Sequence, residues 1–319
     1  MREKVLNILK NKRTWLSAVC GSLLFATFYL ASGSNKLSST QMTSAPNTED
    51  IHVVFNVDDN YAKFLSVTMI SILQNTDEHL HFHILTDGLS ETSLNKLNEL
   101  KKIKPFELDI IKIDDKRIAQ IPDYFRDTIN SVATYRLLAS SLLPNLDKVI
   151  YLDVDLVLLG DIKEYWQIDV NDYYLAAAVD PLNEKEGMLK NLPLPDKALY
   201  FNSGVMILNL KKWRQDDVEK KFFENTAKYA GVLLLPDQDL LNLTLLPQVK
   251  YLDKRYNFMI ESEDLEKEHE FLTIHWAGFF KPWEKKDGIM AEYFWGYAEY
   301  SPFYPEIAQM YYSATPHHY

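Results

Sequence analysis

The stretch Lys148–Ile162, KVIYLDVDLVLLGDI, constrains the fold of this chain more than any other. Two apolar runs, Val149–Leu152 and Leu156–Leu159, demand burial, yet Asp153 and Asp155 stand between them. In an extended segment side chains at i and i+2 point the same way, so the two carboxylates share one face. Like charges at that range beside apolar surface are costly unless something positive lies between them. A hard divalent cation with oxygen ligands meets that requirement. The alternative for an isolated D-x-D is that one Asp caps the next element and the other is solvated.

Strand-like and helical patterns alternate from Ile51 onward. Ile51–Val57 reads as a strand closed by the turn Asp58-Asp59-Asn60, and Tyr61–Gln74 places Phe64, Val67, Ile70 or Ser71, and Leu73 at near-helical spacing. His81–Leu85 and Phe106–Ile113 read as further strands, with a helix over Glu91–Ile103, N-capped by Ser90, between them. Ser131–Leu143 is expected to be helical and leads into the Val149–Leu152 strand. Beyond Gly160, Tyr174–Val179 reads as a strand ending at Asp180, and Pro181–Lys197 as a polar loop. Tyr200–Leu210 reads as a strand interrupted at Asn202-Ser203-Gly204, where a glycine permits close approach of a ligand or another backbone. Helices are expected over Lys211–Tyr229 and from Pro236-Asp237-Gln238-Asp239, whose proline and acids suit a first turn. Phe271–Trp276 reads as a strand ending in His275. This alternation implies a three-layer α/β/α sandwich around a largely parallel sheet. Ligands of such sheets bind beyond the carboxyl ends of strands, where Asp58, Asn60, Asp153 and Asp155 all fall.

The N-terminus carries a different signal. Arg2, Lys4, Lys10, Lys12 and Arg13 precede the uncharged run Trp15–Ala31. Its roughly seventeen residues reach the short edge of the ~17–25 that cross a bilayer as a helix. The pattern reads as a signal-anchor, with a signal cleaved near Ala31–Gly33 or a core or interfacial helix as alternatives. Residues 32–50 are polar and Ser/Thr-rich and read as a flexible stem. Basic residues before the run place the N-terminus inside and the body outside: the Golgi lumen in a eukaryotic cell, the periplasm in a bacterium. The net charge of −11 argues against a nucleic-acid partner, but not against a small phosphorylated ligand whose charge a bound metal offsets. One cysteine, Cys20, excludes an internal disulfide framework and a cysteine-based zinc site.

A cation held by Asp153 and Asp155 needs further ligands, and His275, at another strand end, can supply an imidazole. A mixed Asp/Asp/His set suits Mn2+. Gly278 and Lys281 follow closely, and a backbone N–H and an ammonium are donors suited to a diphosphate. Taken alone, His275 could equally be a satisfied core histidine.

Five blocks occur in order: FNVDDNY (Phe55–Tyr61), TYRL (Thr134–Leu137), YLDVDLVLLGDI (Tyr151–Ile162), YFNSGVMILNLKKWR (Tyr200–Arg214) and HWAGFFKPW (His275–Trp283). PDQDLLN (Pro236–Asn242) lies between the last two. This ordered set resembles glycosyltransferase family 8, retaining nucleotide-sugar transferases of the GT-A fold that include bacterial lipopolysaccharide galactosyl- and glucosyltransferases. The resemblance covers roughly Ile51–Trp283. It implies a Rossmann-like GT-A catalytic domain at residues 51–283, after an anchor at 1–31 and a stem at 32–50, and before an aromatic C-terminal extension at 284–319. It implies that Asp153, Asp155 and His275 bind Mn2+ (or Mg2+), with Asp153 also near the ribose. Asp58 and Asn60 would take the uracil and ribose, Asn56 would contact the nucleotide, and Gly278 and Lys281 would hold the diphosphate. Arg136, Asp237 and Gln238 would line the donor sugar with Asn202 beside them, and Asp180 would face the acceptor. The implied partners are a UDP-hexose, a saccharide or glycolipid acceptor, and a membrane reached through Trp15–Ala31. The implied location is a bacterial inner membrane or, as a type II protein, the Golgi. The family's C-terminal tail is typically basic and aromatic; Ala291–Tyr319 is aromatic but has no Lys or Arg, so the N-terminal segment is expected to replace it.

Gln238, the side chain expected under the sugar, is a poor nucleophile, whereas a double displacement requires a carboxylate. Front-side transfer is therefore expected, with the metal and Lys281 offsetting charge on the departing UDP and the leaving phosphate helping to deprotonate the acceptor. Asp237 is the alternative nucleophile. Two other functions fit parts of the pattern. One is a metal-dependent phosphatase using Asp153, although there the motif usually ends the first strand of its domain. The other is a non-catalytic nucleotide-sugar or carbohydrate binder.

Overall fold

A computed structural model describes residues 50–114, 131–181, 189, 192–229, 232–260, 271–278, 280–284 and 286–314. The chain divides into two units, Met1–Ser44 and Ala45–Tyr319. The first unit, with the expected anchor over Trp15–Ala31 and most of the stem, lies outside the described residues. Among the described residues no helix is long and apolar enough to cross a membrane.

The second unit opens with β1 (Ile51–Asn56), α1 (Ala62–Asn75), β2 (Leu80–Thr86), α2 (Glu91–Glu99) and β3 (Glu107–Lys112). A 3-10 segment, Ser131–Leu138, leads into α3 (Ala139–Leu142), β4 (Lys148–Leu152), β5 (Leu156–Leu158), α4 (Lys163–Trp166) and β6 (Leu175–Val179). There follow β7 (Phe201–Asn209), α5 (Leu210–Gln215), α6 (Val218–Tyr229), α7 (Pro236–Leu245) and β8 (Val249–Leu252). The last elements are β9 (Phe258–Met259), β10 (Thr273–His275), α8 (Ala291–Ala298) and α9 (Tyr304–Ala314). Seven strands form one sheet in the order β3-β2-β1-β4-β7-β6-β8, and β5-β10-β9 form a small second sheet.

The period-2 pattern of the strands builds three layers. Val53, Phe55, Ile150, Leu152, Val205 and Ile207 face a core shared with α1, β5, α8 and α9. Val54, Val149, Tyr151, Met206 and Leu208 face the other core, filled from α5, α6 and α7 by Trp213, Phe222, Leu240 and Leu245. The C-terminal aromatics take part in the first core. Phe294 and Trp295 are buried, Trp283 stacks on Phe64 at 3.7 Å, and the Trp295 indole donates to Pro282 O at 2.8 Å.

Several local expectations differ from the fold. The sheet is mixed rather than largely parallel: β3, β2, β1 and β4 are parallel, but β7 runs antiparallel to both β4 and β6. The chain leaves β6 and re-enters at β7 on the same end of the sheet, where Asp180 N–H donates to Tyr200 O at 2.9 Å, and such a return forces antiparallel pairing. β7 is continuous through Asn202-Ser203-Gly204 and wholly buried, so no interruption occurs there. The helix over Lys211–Tyr229 breaks into α5 and α6, with Asp217 at φ 48° between them. Most of Ser131–Leu143 is 3-10, and α2 stops at Glu99 before a 3-10 turn over Leu100–Lys102. Ser90 caps α2 as expected, its Oγ accepting the Ser93 N–H at 3.1 Å.

The crevice lies between β1 and β4, parallel neighbours with β2 beyond one and β7 beyond the other. Past β4 the chain is held from two sides. Trp276 N–H donates to Asp155 O at 2.9 Å. The buried Thr68 hydroxyl of α1 lies 2.8 Å from Leu156 O and 3.1 Å from Val154 O, carbonyls that bracket Asp155. Thr68→Val keeps the shape and deletes that donor. It should lower the urea unfolding free energy by about 1–2 kcal/mol with unchanged far-UV circular dichroism. An unchanged unfolding midpoint would show that the hydroxyl holds nothing.

Candidate active site

Asp153, Asp155 and His275 come together as expected, with one ligand atom of each within 4.8 Å of the others. Asp153 leaves the end of β4, its N–H donating to Gly204 O at 2.8 Å, and Asp155 follows it out of the strand. His275 ends β10, which pairs with β5 immediately after the D-x-D, so a distant segment closes the site. Gly204 of β7 makes room for this. A Cβ there would stand 2.3 Å from His275 Cε1 and 2.7 Å from Asp153 Oδ2, so no larger residue fits.

Each carboxylate has its own cation. Asp153 Oδ1 accepts from Arg136 Nη2 at 2.9 Å and from the Tyr151 hydroxyl at 2.8 Å. Asp155 Oδ2 accepts from Lys281 Nζ at 2.6 Å, and Asp155 Oδ1 lies 3.2 Å from His275 Nε2. Burial pushes the Asp155 carboxyl up, but the Lys281 ammonium beside it pulls it well below the usual carboxylate range. Burial opposes the charge of Lys281 and of Arg136, yet Asp155 and Asp153 respectively outweigh it and raise both pKa values. Asp237 lies 3.4 Å from Arg136 Nε, and burial raises its pKa despite that neighbour.

A buried hydrogen-bond chain joins this centre to Gln238, Asp180 and Asn202. Gln238 Oε1 accepts from Ser203 N–H at 2.9 Å and faces Ser203 Oγ at 3.1 Å, while its Nε2 donates to Asp180 Oδ2 at 3.0 Å. Asp180 also accepts from Asn202 Nδ2 at 3.2 Å, and Asn202 Oδ1 accepts from Asn257 Nδ2 at 2.9 Å. Asn257 thereby turns its Oδ1 to His275 Nδ1, 2.8 Å away, which puts the imidazole proton on Nδ1. The lone pair of Nε2 then faces Asp155 Oδ1. Two acceptors at that separation, close to the roughly 3 Å edge of an octahedral shell with ~2.1 Å bonds, fit a divalent cation between them.

The cleft itself, about 250 Å³, is lined by Asn56, Asp58, Tyr61, Arg136, Asp153, Asp155 and Lys281 among others. Asn56 Nδ2 donates to Ala133 O at 3.1 Å, while its Oδ1 is buried with no hydrogen-bond donor among the described residues. Asp58 Oδ1 accepts the Tyr61 N–H at 2.9 Å. Asn60 is exposed in the turn after β1 and is not part of that lining. Gly278 joins Lys281 in lining a neighbouring apolar cavity of about 350 Å³ with Met259, Ile260, Trp276 and Ile289. Asp180 is only 3% exposed, and its carboxylate accepts from Asn202 and Gln238.

Tyr151, Ser203, Asn257 and Tyr61 were not singled out by sequence reasoning. Tyr151 was readable, since it alternates with Asp153 and must share its face. Ser203 and Tyr61 lie inside the matching blocks. Asn257 follows a 3-10 turn and had no local signal. Asp153 Oδ1 is engaged by Arg136 and Tyr151, and the D-x-D closes the fourth strand, whereas an aspartyl phosphatase usually carries it on the first.

The model of Glycosyl transferase family 8 matches residues 52–287. The chain is 31% identical over 272 residues to a lipopolysaccharide 1,2-glucosyltransferase of Escherichia coli, covering 80% of this chain and 79% of that one. It is 24% identical over 250 residues to a lipopolysaccharide 1,3-galactosyltransferase of Salmonella typhimurium, covering 74% of each. The crystal structure of galactosyltransferase LgtC in complex with donor and acceptor sugar analogues superposes with a TM-score of 0.71 at 29% identity, covering 79% of this chain and 96% of that one. With a mixed sheet in three layers and a D-x-D at the central crevice, the chain belongs to glycosyltransferase family 8 and has its GT-A-like α/β fold.

Proposed function

We propose that this protein moves a hexose, galactose or glucose, from a UDP-sugar to a hydroxyl of a saccharide acceptor with retention at the anomeric carbon, using Mn2+ or Mg2+. The observation that carries the reading is the convergence of Asp153, Asp155 and His275 beside Lys281 at the mouth of the crevice. Relatives named for lipopolysaccharide glucosyl and galactosyl transfer support a lipopolysaccharide or similar glycoconjugate as acceptor.

Asp153, Asp155 and His275 would hold the cation, and Asn257 keeps the His275 Nε2 lone pair available for it. A divalent cation bound there supplies a Lewis acid that neutralises charge on diphosphate oxygens. Lys281 adds an ammonium at the same place, and Gly278 a backbone N–H nearby. Asn56 Oδ1 offers an acceptor without a donor to the nucleoside end, where Asp58 and Tyr61 also stand. Arg136, Asp237, Gln238 and Asn202 form the polar wall beneath the sugar.

Gln238 supports front-side transfer. Its oxygen accepts from Ser203 and its nitrogen donates to Asp180, so the amide is fixed and has no nucleophilic oxygen to offer. The bond from the anomeric carbon to the UDP oxygen breaks, and the acceptor oxygen bonds to that carbon on the same face. The acceptor proton passes to the departing phosphate. Residues 1–31 would attach the body to a membrane, residues 32–50 would serve as stem, residues 51–283 would carry catalysis, and the aromatic residues 284–319 would pack on it.

Incubation with a panel of UDP-hexoses and Mn2+ should release UDP from one of them. Asp155→Ala should cut that turnover by more than about 100-fold without unfolding the chain, and retained turnover would refute the metal assignment. Intact-mass spectrometry after incubation with donor alone should show no glycosyl adduct; an adduct on Asp237 would replace front-side transfer by double displacement. Deleting residues 1–31 should move the protein from the membrane pellet to the soluble fraction, and a truncated chain that still pellets would rule out the anchor.

A further inference from the structure

A second group of metal-ligating side chains lies at the other end of the sheet from the cleft. His52 is the second residue of β1, and the strand register sets it beside His81 of β2. The register of β2 with β3 sets His83 beside Asp109. Because side chains alternate along a strand, His52, His81, His83 and Asp109 share one face, near the amino ends of the parallel strands. Asn56 and Asp58 mark the carboxyl end, where the cleft lies.

His52 and His83 are buried, His81 is partly so, and one nitrogen of each ring lies within 4.8 Å of one nitrogen of the other two. His52 Nδ1 is 3.0 Å from His83 Nε2, and the His81 and His83 rings stack at 4.2 Å. Asp109 Oδ2 accepts from His81 Nε2 at 2.8 Å and lies 3.2 Å from His83 Nδ1. That second pair is out of line, so the buried His83 Nδ1 makes no hydrogen bond among the described residues.

We propose that His52, His81 and His83 form a second, structural site for a divalent cation of the Zn2+ class, with the Asp109 carboxylate adjoining it. Three imidazoles make a softer, nitrogen-rich donor set than the two carboxylates and one imidazole of the cleft. The two sites therefore differ in preference: zinc-like ions here, hard oxygen-seeking ions there. Trp166 packs against His52 with ring centroids 6.2 Å apart and covers one side. The site would clip β1 to β2 and, through Asp109, reach the edge strand β3, near the amino end of β1.

The test uses the full chain carrying Asp155→Ala, so that the cleft no longer contributes, stripped with EDTA and titrated with Co2+ and then Zn2+. One equivalent of Co2+ should give the visible absorption of a four-coordinate nitrogen-ligated ion, and Zn2+ should bleach it. Zn2+ but not Mg2+ should also raise Tm. His81→Gln, at the partly exposed ring, should weaken Zn2+ binding at least 10-fold at unchanged metal-free Tm, and Asp109→Asn should weaken it less. Absence of stoichiometric Co2+ or Zn2+ binding in the Asp155→Ala chain would overturn the site, as would binding that His81→Gln leaves unaltered. Neither result bears on glycosyl transfer, which is read separately by UDP release.

Discussion

Arg136 is buried to 4% exposure, and all the polar faces of its guanidinium are used. Nε donates to Ala133 O at 2.8 Å, Nη1 to Ser203 O at 2.8 Å, and Nη2 to Asp153 Oδ1 at 2.9 Å, while the plane lies 4.4 Å over the Tyr151 ring. A buried charge survives only when paired and fully hydrogen-bonded, and here one side chain ties the 3-10 segment, β4 and β7 together. The D-x-D can end a hydrophobic strand because of this. Without Arg136 on Asp153 and Lys281 on Asp155, two carboxylates beside the core would repel each other and draw in water. A lysine at 136 could not reproduce the planar fork.

From that ion pair the polar network runs outward in one direction. Ser203, held by Arg136, orients Gln238; Gln238 and Asn202 are both held by Asp180; Asn202 orients Asn257, and Asn257 sets the tautomer of His275. The residues expected under the donor sugar and the imidazole expected on the cation are thus links of one chain. Disturbing the sugar side should therefore be felt at His275 through hydrogen bonds alone. Networks of this kind are rigid when fully satisfied, and that rigidity matters here because the residues of the candidate site come from β1, the turn after β4, β7, α7 and β10.

How much of this was legible depends on how local the determinant is. β1, α1 and the Ser90 cap follow from periodicity and from one side chain bonding three residues on, so they were readable to within a residue or two. The meeting of Asp153 and Asp155 on one face follows from the strand period. The direction of β7 does not, because it depends on which end of the sheet the chain returns from after Asp180. The inward turn of Asp180 has the same origin: a carboxylate at a strand end looks exposed until β7 and α7 bring Asn202 and Gln238 over it. Asn257 has no pattern at all, since its role exists only once β9 and β10 are paired. His81 and His83 stood two apart in a strand and shared a visible face, but His52 joins them only through the β1–β2 register.

The charge of the cleft bears on the proposed chemistry. Asp58, Asp153 and Asp155 line it against Arg136 and Lys281, three carboxylates to two cations, in a chain whose net charge is −11. Both cations are already committed to the D-x-D carboxylates, at 2.9 Å and 2.6 Å. A diphosphate would bring further negative charge into a region that already repels it, and solvent screens such repulsion poorly at buried positions. Its binding therefore depends on added positive charge at Asp153, Asp155 and His275, and Lys281 can turn to the phosphate only if something replaces it at Asp155. On this reading metal dependence arises from the charge balance of the cleft. The same balance would let a protein of net charge −11 take the proposed UDP-sugar.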